Sequence, residues 1–365
     1  MAEEIVLSLD GARWNVAGVS RYAAELLSGM RAAGRTVRMP AGTYASPYLR
    51  GQPGVIGVPF PQMRGIGVLG RQFERAWLAA RRRGRPIVHH KVFSGPLRTP
   101  DGLVSVVTVH DMVNERFPEL FGDDDATVGW KRDSCERADI VLVVSDTTRR
   151  DLLERIPVDP DRVRTVHLAT SMGIATPAEL EDRPRGGDRV LLHVGARGSY
   201  KNFSMLVDAL ALLSDRSVRL LNVGGGPFSP EEAARARRLG VSDRVSWQAA
   251  ADPALRQRYL DAAVLVSPSL YEGFGLPVLE AMGLGCPVVC ADAGSLPEVA
   301  GGAALLFAPT DAAALAVALE RVLDDDATRA RLRVAGLERA RDFSWRSTVD
   351  ATLAAYDLAT EHACR

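Results

Sequence analysis

Short apolar runs rich in β-branched residues alternate with longer amphipathic stretches along nearly the whole chain, and no other feature constrains its fold as strongly. The runs Ile5–Leu9, Ile87–His89, Val104–Thr108, Ile140–Ser145 and Val163–Val166 are largely apolar through consecutive positions, as strands buried on both faces must be. Between them Val19–Ala32, Val68–Arg83 and Asp146–Ile156 follow helical periodicity, the last with Ser145 placed as its N-cap. Strand and helix in this order build βα units, and hence a parallel, doubly wound sheet covered on both sides.

The pattern breaks at residues 171–188, where Pro177, Pro184, Gly186 and Gly187 interrupt any apolar periodicity. It then resumes with strand-like Val190–Val194, Val218–Val223, Val264–Ser267 and Val288–Cys290, and with helical Asn202–Leu213, Pro230–Leu239, Leu276–Met282 and Asp311–Leu323. A chain of 365 residues suits two such cores better than one. The reading is therefore an α/β protein of two Rossmann-like domains facing across a cleft. Residues 1–172 form the first domain, 173–188 a linker, 189–344 the second domain, and 345–365 a helix free to pack back on the first.

The N-terminus is acidic and runs straight into a strand, without the basic and apolar regions of a signal peptide. No apolar run reaches the roughly 18 residues of a membrane span, so a cytoplasmic location is expected. Cys135, Cys286, Cys290 and Cys364 have neither zinc-ligand spacing nor the density of a disulfide framework, and read as reduced thiols. The chain is neutral overall, yet residues 1–100 carry fifteen basic side chains against five acidic ones, leaving the remainder at −10. Such asymmetry fits a first half that faces something anionic, either a phosphorylated acceptor or, peripherally, the inner face of a membrane. A merely solubilising arginine surface is the plain alternative. Nothing points to nucleic acid.

Four loops at predicted strand ends carry candidate chemistry. Gly18, in the loop from Trp14 to Tyr22, would let backbone amides at a helix start approach an anion. The dinucleotide fingerprint G-x-G-x-x-G is missing there, which argues against a nicotinamide enzyme. Val107–Asp111 ends a strand in His110 and Asp111, a pair suited to sugar hydroxyls or to a structural role. Val194–Phe203 places Arg197 and Lys201 where a helix begins, a cationic setting for a diphosphate. Lys201 stands out because the chain has only three lysines (Lys91, Lys131, Lys201). In Pro268–Met282, Glu272 lies on a glycine-rich loop and Glu280 lies inside the following helix, so two carboxylates can reach different parts of one elongated ligand.

Together these loops, with Ser295-Leu296-Pro297-Glu298-Val299, resemble the retaining glycosyltransferases of family 4, the group 1 enzymes of the two-Rossmann (GT-B) class that include bacterial mannosyltransferases. The resemblance covers nearly the whole chain except residues 35–85 and the linker. It implies a donor held by the second domain and an acceptor held by the first. Glu272 would contact the transferring sugar, Glu280 the ribose, and Arg197 and Lys201 the diphosphate. The backbone at Phe274, Gly275 and Leu276 would touch sugar and phosphate, Gly18 would close on the diphosphate, and His110 would lie near the sugar. Glu272, His110 and Lys201 are thus the catalytic candidates. Relatives often carry Arg directly before the Lys; here Tyr200 stands there and Arg197 lies four residues earlier, which leaves the part of Arg197 open.

The implied reaction is hexosyl transfer from a nucleoside-diphosphate sugar, with retention, to a glycan, a lipid-linked sugar or a natural product. GDP-mannose, UDP-glucose and UDP-N-acetylglucosamine all suit these loops. No cofactor and no metal are expected: Asp123–Asp125 and Asp324–Asp326 adjoin helices rather than apolar strand ends and read as caps. A two-Rossmann nucleotide-sugar epimerase and a non-catalytic nucleotide-sugar-binding protein share the architecture and stand as the rival readings.

Overall fold

The computed structural model describes residues 4–8, 17–60, 66–81, 87–93, 99–122, 126–181, 189–249 and 251–363. These form two compact units, one up to Leu168 and again from Ser344, the other from Ala169 to Phe343.

The first unit holds β1 (Glu4–Ser8), β2 (Val37–Tyr44), β3 (Val55–Pro59), β4 (Ile87–Lys91), β5 (Val104–Val109), β6 (Ile140–Val143) and β7 (Val163–Thr165). They form one sheet in the order β3-β2-β1-β4-β5-β6-β7, every pairing parallel. β4, β5 and β6 are buried at every position, which is why they read as continuous apolar runs, whereas the edge strand β3 is largely exposed. Ser145 caps the helix Asp146–Arg155 by accepting from Thr148 N–H.

The C-terminal helix Trp345–Ala363 belongs to this unit. Thr348 Oγ1 donates to the His167 carbonyl at 2.8 Å. A Cβ on Gly29, in the helix Ala17–Ala32, would sit 2.6 Å from Val349 Cγ2, so the two helices touch where neither has room for another methyl group. Beneath them runs a buried polar chain: Tyr22 OH to Thr108 Oγ1 (3.2 Å), Thr108 Oγ1 to His90 Nε2 (2.7 Å), and His90 Nδ1 to Tyr356 OH (2.6 Å). Burial lowers the His90 pKa to about 3, so the ring is a neutral member of this chain.

The second unit holds β8 (Val190–Val194), β9 (Arg219–Val223), β10 (Val245–Gln248), β11 (Val264–Ser267), β12 (Val288–Ala291) and β13 (Leu305–Phe307), again all parallel, in the order β10-β9-β8-β11-β12-β13. Each unit is a doubly wound sheet whose order reverses beside its first strand, between β1 and β4 and between β8 and β11. Residues 173–181, read from composition as linker, are built into the second unit instead. Ala175 N–H donates to the Gly283 carbonyl (2.8 Å), and Glu179, on the short helix Pro177–Glu181, pairs with Arg256. A proline starts this helix without breaking anything, because the first-turn amide needs no partner. Among the described residues no helix is long and apolar enough to cross a membrane.

Candidate functional site

At the reversal point of the second sheet, the loops leaving β8 and β11 are spatial neighbours although 71 residues separate Lys201 from Glu272. The β8 loop tightens into a 3-10 turn over Ser199–Lys201 and ends at Asn202, whose φ of 56° makes it the one non-glycine left-handed residue among those described. Asparagine tolerates this conformation better than most residues, and here its Nδ2 also donates to the Pro309 carbonyl at 2.8 Å. Leu270 N–H donates to the Tyr200 carbonyl at 2.7 Å, a backbone bond that ties the two loops together. Lys201 is thereby held facing the β11 loop, its Nζ 2.7 and 2.8 Å from the two oxygens of Glu272. Ser269 Oγ donates to the same Glu272 Oε1 at 2.7 Å. Ser295 fixes the backbone beneath, its N–H and Oγ both donating to the Glu272 carbonyl.

Gly275 then turns the chain into the helix Leu276–Gly283 with a φ of 96°. A Cβ there would meet Leu296 Cδ2 at 2.8 Å, so both conformation and space require glycine. The first-turn amides at Gly275 and Leu276 have no intrahelical partner and, with the helix dipole, face the loop side of the sheet. Phe274 is buried and meets Phe343 edge to face, which leaves its backbone, not its ring, to touch a ligand.

The structure gives Arg197 and Glu280 partners that the sequence did not show. The Arg197 guanidinium, expected at the diphosphate, is engaged inside the unit. It pairs with Glu232 (2.8 Å), donates to the Gly224 and Pro227 carbonyls, and lies over the Phe228 ring. Its side chain is only 5% exposed, so Arg197 is a brace and Lys201 is the cation at the loop ends. Glu280 is buried and accepts from Tyr259 OH at 2.7 Å, so Tyr259 fixes the carboxylate expected at the ribose.

The brace points to a loop that sequence reading missed. Gly224, Gly225 and Gly226 follow β9 with three successive positive φ values. The Gly224 carbonyl accepts from Asn222 Nδ2 (2.7 Å), Trp247 Nε1 (2.7 Å) and Arg197. Asn222 Oδ1 in turn accepts from His193 Nδ1, and burial lowers the His193 pKa to about 4. The triple glycine after an apolar strand was the available signal.

In the first unit, His110 directly follows β5. Its Nε2 donates to the Val92 carbonyl (2.8 Å), which fixes the tautomer and leaves Nδ1 an acceptor. Tyr22 meets the ring edge-on, and burial lowers the pKa of His110. Asp111 does not bond His110; its Oδ1 accepts from Val113 N–H, and its carbonyl accepts from Lys131. Lys131, buried and paired with Glu115 at 2.7 Å, is the clamp under this turn. Gly18 lies exposed in the first turn of its helix with open space around it, while residues 14–16 of that loop fall outside the described residues. Ser8, at the end of β1, donates to Glu74, and His89 Nε2, within β4, lies 3.7 Å from the same carboxylate oxygen. Of the aspartate runs, Asp325 caps the helix Asp326–Ala340 and Asp324 pairs with Arg189. Asp123–Asp125 lie outside the described residues.

Two parallel doubly wound units, the second bearing an ammonium, a carboxylate and a glycine-opened helix start at its reversal point, are the two-Rossmann arrangement of the GT-B class. The model of the family "Glycosyl transferases group 1" matches residues 179–339, and that of "Glycosyltransferase Family 4" matches residues 16–170. The chain is 32% identical over 267 residues to the O-antigen chain mannosyltransferase B of Escherichia coli, covering 70% of each chain. It is 33% identical over 266 residues to the D-inositol 3-phosphate glycosyltransferase of Corynebacterium efficiens, covering 66% of this chain and 63% of that one. A sucrose-phosphate synthase from Thermosynechococcus elongatus shares the fold, with a TM-score of 0.76 over 98% of both chains at 23% identity. The chain belongs to the group 1, family 4 glycosyltransferases, and it is an enzyme acting on a nucleotide-sugar donor rather than an epimerase or a binding protein.

Proposed function

We propose that the enzyme transfers a hexosyl group, in the first instance mannosyl, from a nucleoside-diphosphate sugar to a phosphate-bearing glycan, lipid-linked or small-molecule acceptor, with retention at the anomeric carbon. The observation that carries the donor side is the meeting of Lys201 and Glu272 at the reversal point of the second sheet. Departure of a diphosphate builds negative charge on the leaving group, and a fixed ammonium with helix-start amides at Gly275 and Leu276 is suited to take it up without a metal. Glu272 then holds sugar hydroxyls beside the anomeric carbon, and Glu280, oriented by Tyr259, takes the ribose. His110, neutral and with Nε2–H engaged, offers Nδ1 to a sugar hydroxyl. Arg197 contributes by bracing the glycine loop.

For the acceptor, support comes from the net +10 of residues 1–100 and from the relative named for an inositol phosphate. Arg31, Arg38, Arg50 and Arg75 are exposed in the first unit. Val58, Phe60 and Phe73 are exposed there too, an apolar accompaniment that suits peripheral contact with an anionic membrane surface.

Two measurements test this reading. Lys201→Met should weaken binding of free GDP and UDP about tenfold or more and lower kcat, because a charge-assisted contact to phosphate is lost; unchanged diphosphate affinity removes Lys201 from the donor site. Acceptor KM should rise with ionic strength while donor KM changes less. An acceptor KM flat from low to high salt points to a neutral acceptor.

A further inference from the structure

The cation read as the diphosphate partner and the carboxylate read as the sugar partner are closed on each other. Lys201 Nζ lies 2.7 Å from Oε1 and 2.8 Å from Oε2 of Glu272, so the ammonium addresses the whole carboxylate rather than one edge of it. Backbone contacts hold the two sides of the pair. The Tyr200 carbonyl accepts from Leu270 N–H on one side, and Ser295 grips the Glu272 carbonyl on the other. Ser269 Oγ adds a third donor to Glu272 Oε1. The side chains are 21% and 16% exposed, sheltered enough for the attraction to resist screening and open enough for a ligand to arrive.

We infer that Glu272 is an internal competitor for the diphosphate at Lys201, occupying the ammonium when no donor is bound and reclaiming it once the sugar has left. The inference rests on the reading of Lys201 as the diphosphate cation. A site whose cation is already paired binds an anion with an apparent affinity reduced by the fraction of time the cation is available. A sugar-bearing donor compensates by offering hydroxyls to the displaced carboxylate. A bare nucleoside diphosphate offers none. The same pair therefore discriminates against product and shortens its residence, a property that neither residue has alone.

A double-mutant cycle on GDP and UDP affinity tests this, using wild type, Glu272→Gln, Lys201→Met and the double variant, each checked for an unchanged thermal transition. Glu272→Gln is isosteric, and Lys201→Met keeps an unbranched stem of nearly the same length while removing the ammonium. Glu272→Gln should bind free nucleoside diphosphate about fivefold more tightly, the equivalent of about 1 kcal/mol, and release it more slowly. In the Lys201→Met background the same replacement should leave affinity within about twofold, because the contested cation is gone. An unchanged or weakened affinity in Glu272→Gln overturns the inference. So does an equal gain in both backgrounds, which assigns the effect to through-space repulsion between Glu272 and phosphate. If Lys201→Met binds diphosphate as tightly as wild type, the donor-site reading itself fails, and that arm is read independently of Glu272.

Discussion

All three lysines of this arginine-rich chain occupy sheltered positions. Lys91 and Lys131 are each 2% exposed, and Lys201 sits in its pair at a strand-end loop. The scarcity that singled out Lys201 in the sequence marks all three, and only the structure separates the clamp Lys131 from Lys201, paired with Glu272 at the strand-end loops. Arg197 shows the converse. Its three nitrogens each donate to a different partner, Glu232, Gly224 and Pro227, a geometry that a single ammonium cannot reproduce. Arg197→Ala should lower the stability of the second unit by about 2–3 kcal/mol, and Arg197→Lys should recover little of it. Denaturation midpoints for both variants measure this; a lysine variant as stable as wild type would show that the fork geometry does not matter.

Among elements, the C-terminal helix is the one whose place in the sequence says least about its place in the fold. It follows the last strand of the second unit yet packs on the first, through Gly29 against Val349 and through Tyr356 reaching His90. Tyr356→Phe leaves His90 Nδ1 buried without that partner, and should cost about 1–3 kcal/mol in a denaturant titration. A midpoint equal to wild type would mean the helix is held by apolar packing alone. The strands divide in the same way. Those with both faces buried, such as β4, β5, β8 and β11, were legible as apolar runs. β2 and β3 were not, because Pro40, Gly42, Gly57 and Pro59 interrupt them; β2 carries its proline at a register shift against β3, and β3 is the edge strand. β10 alternates between half-buried and exposed, and β13 is three residues long, so neither rose above its surroundings.

For the molecule as a whole, buried histidines set the response to acid. Burial holds His90 at about 3, His193 at about 4 and His110 below its usual value, whereas the unfolded chain titrates its histidines near 6.5. Folded-state values are depressed, so between pH ~6.5 and ~3 the unfolded state binds protons that the folded state excludes, and stability falls as the pH falls. Above pH ~7 these groups contribute no pH dependence. Melting temperature should therefore drop from pH 7 to pH 5, and His90→Gln, which cannot charge, should flatten part of that slope. A variant with the same slope as wild type would assign acid sensitivity to other groups.

The sequence by itself determined the two doubly wound units, the positions of most buried strands, and the loops that carry Lys201 and Glu272, because a strand buried on both faces can be written only as an apolar run and a loop at its end must carry polar residues and glycine. It could not determine which charged side chains face a ligand and which brace the fold. Arg197 and Lys131 are chemically as eligible as Lys201 and Glu272, and their fates follow from neighbours brought near by packing: Glu232 and Gly224 for one, Glu115 for the other. Pairing of a buried charge is decided by three-dimensional distance, and distance between residues far apart in sequence exists only once the strands have taken their order.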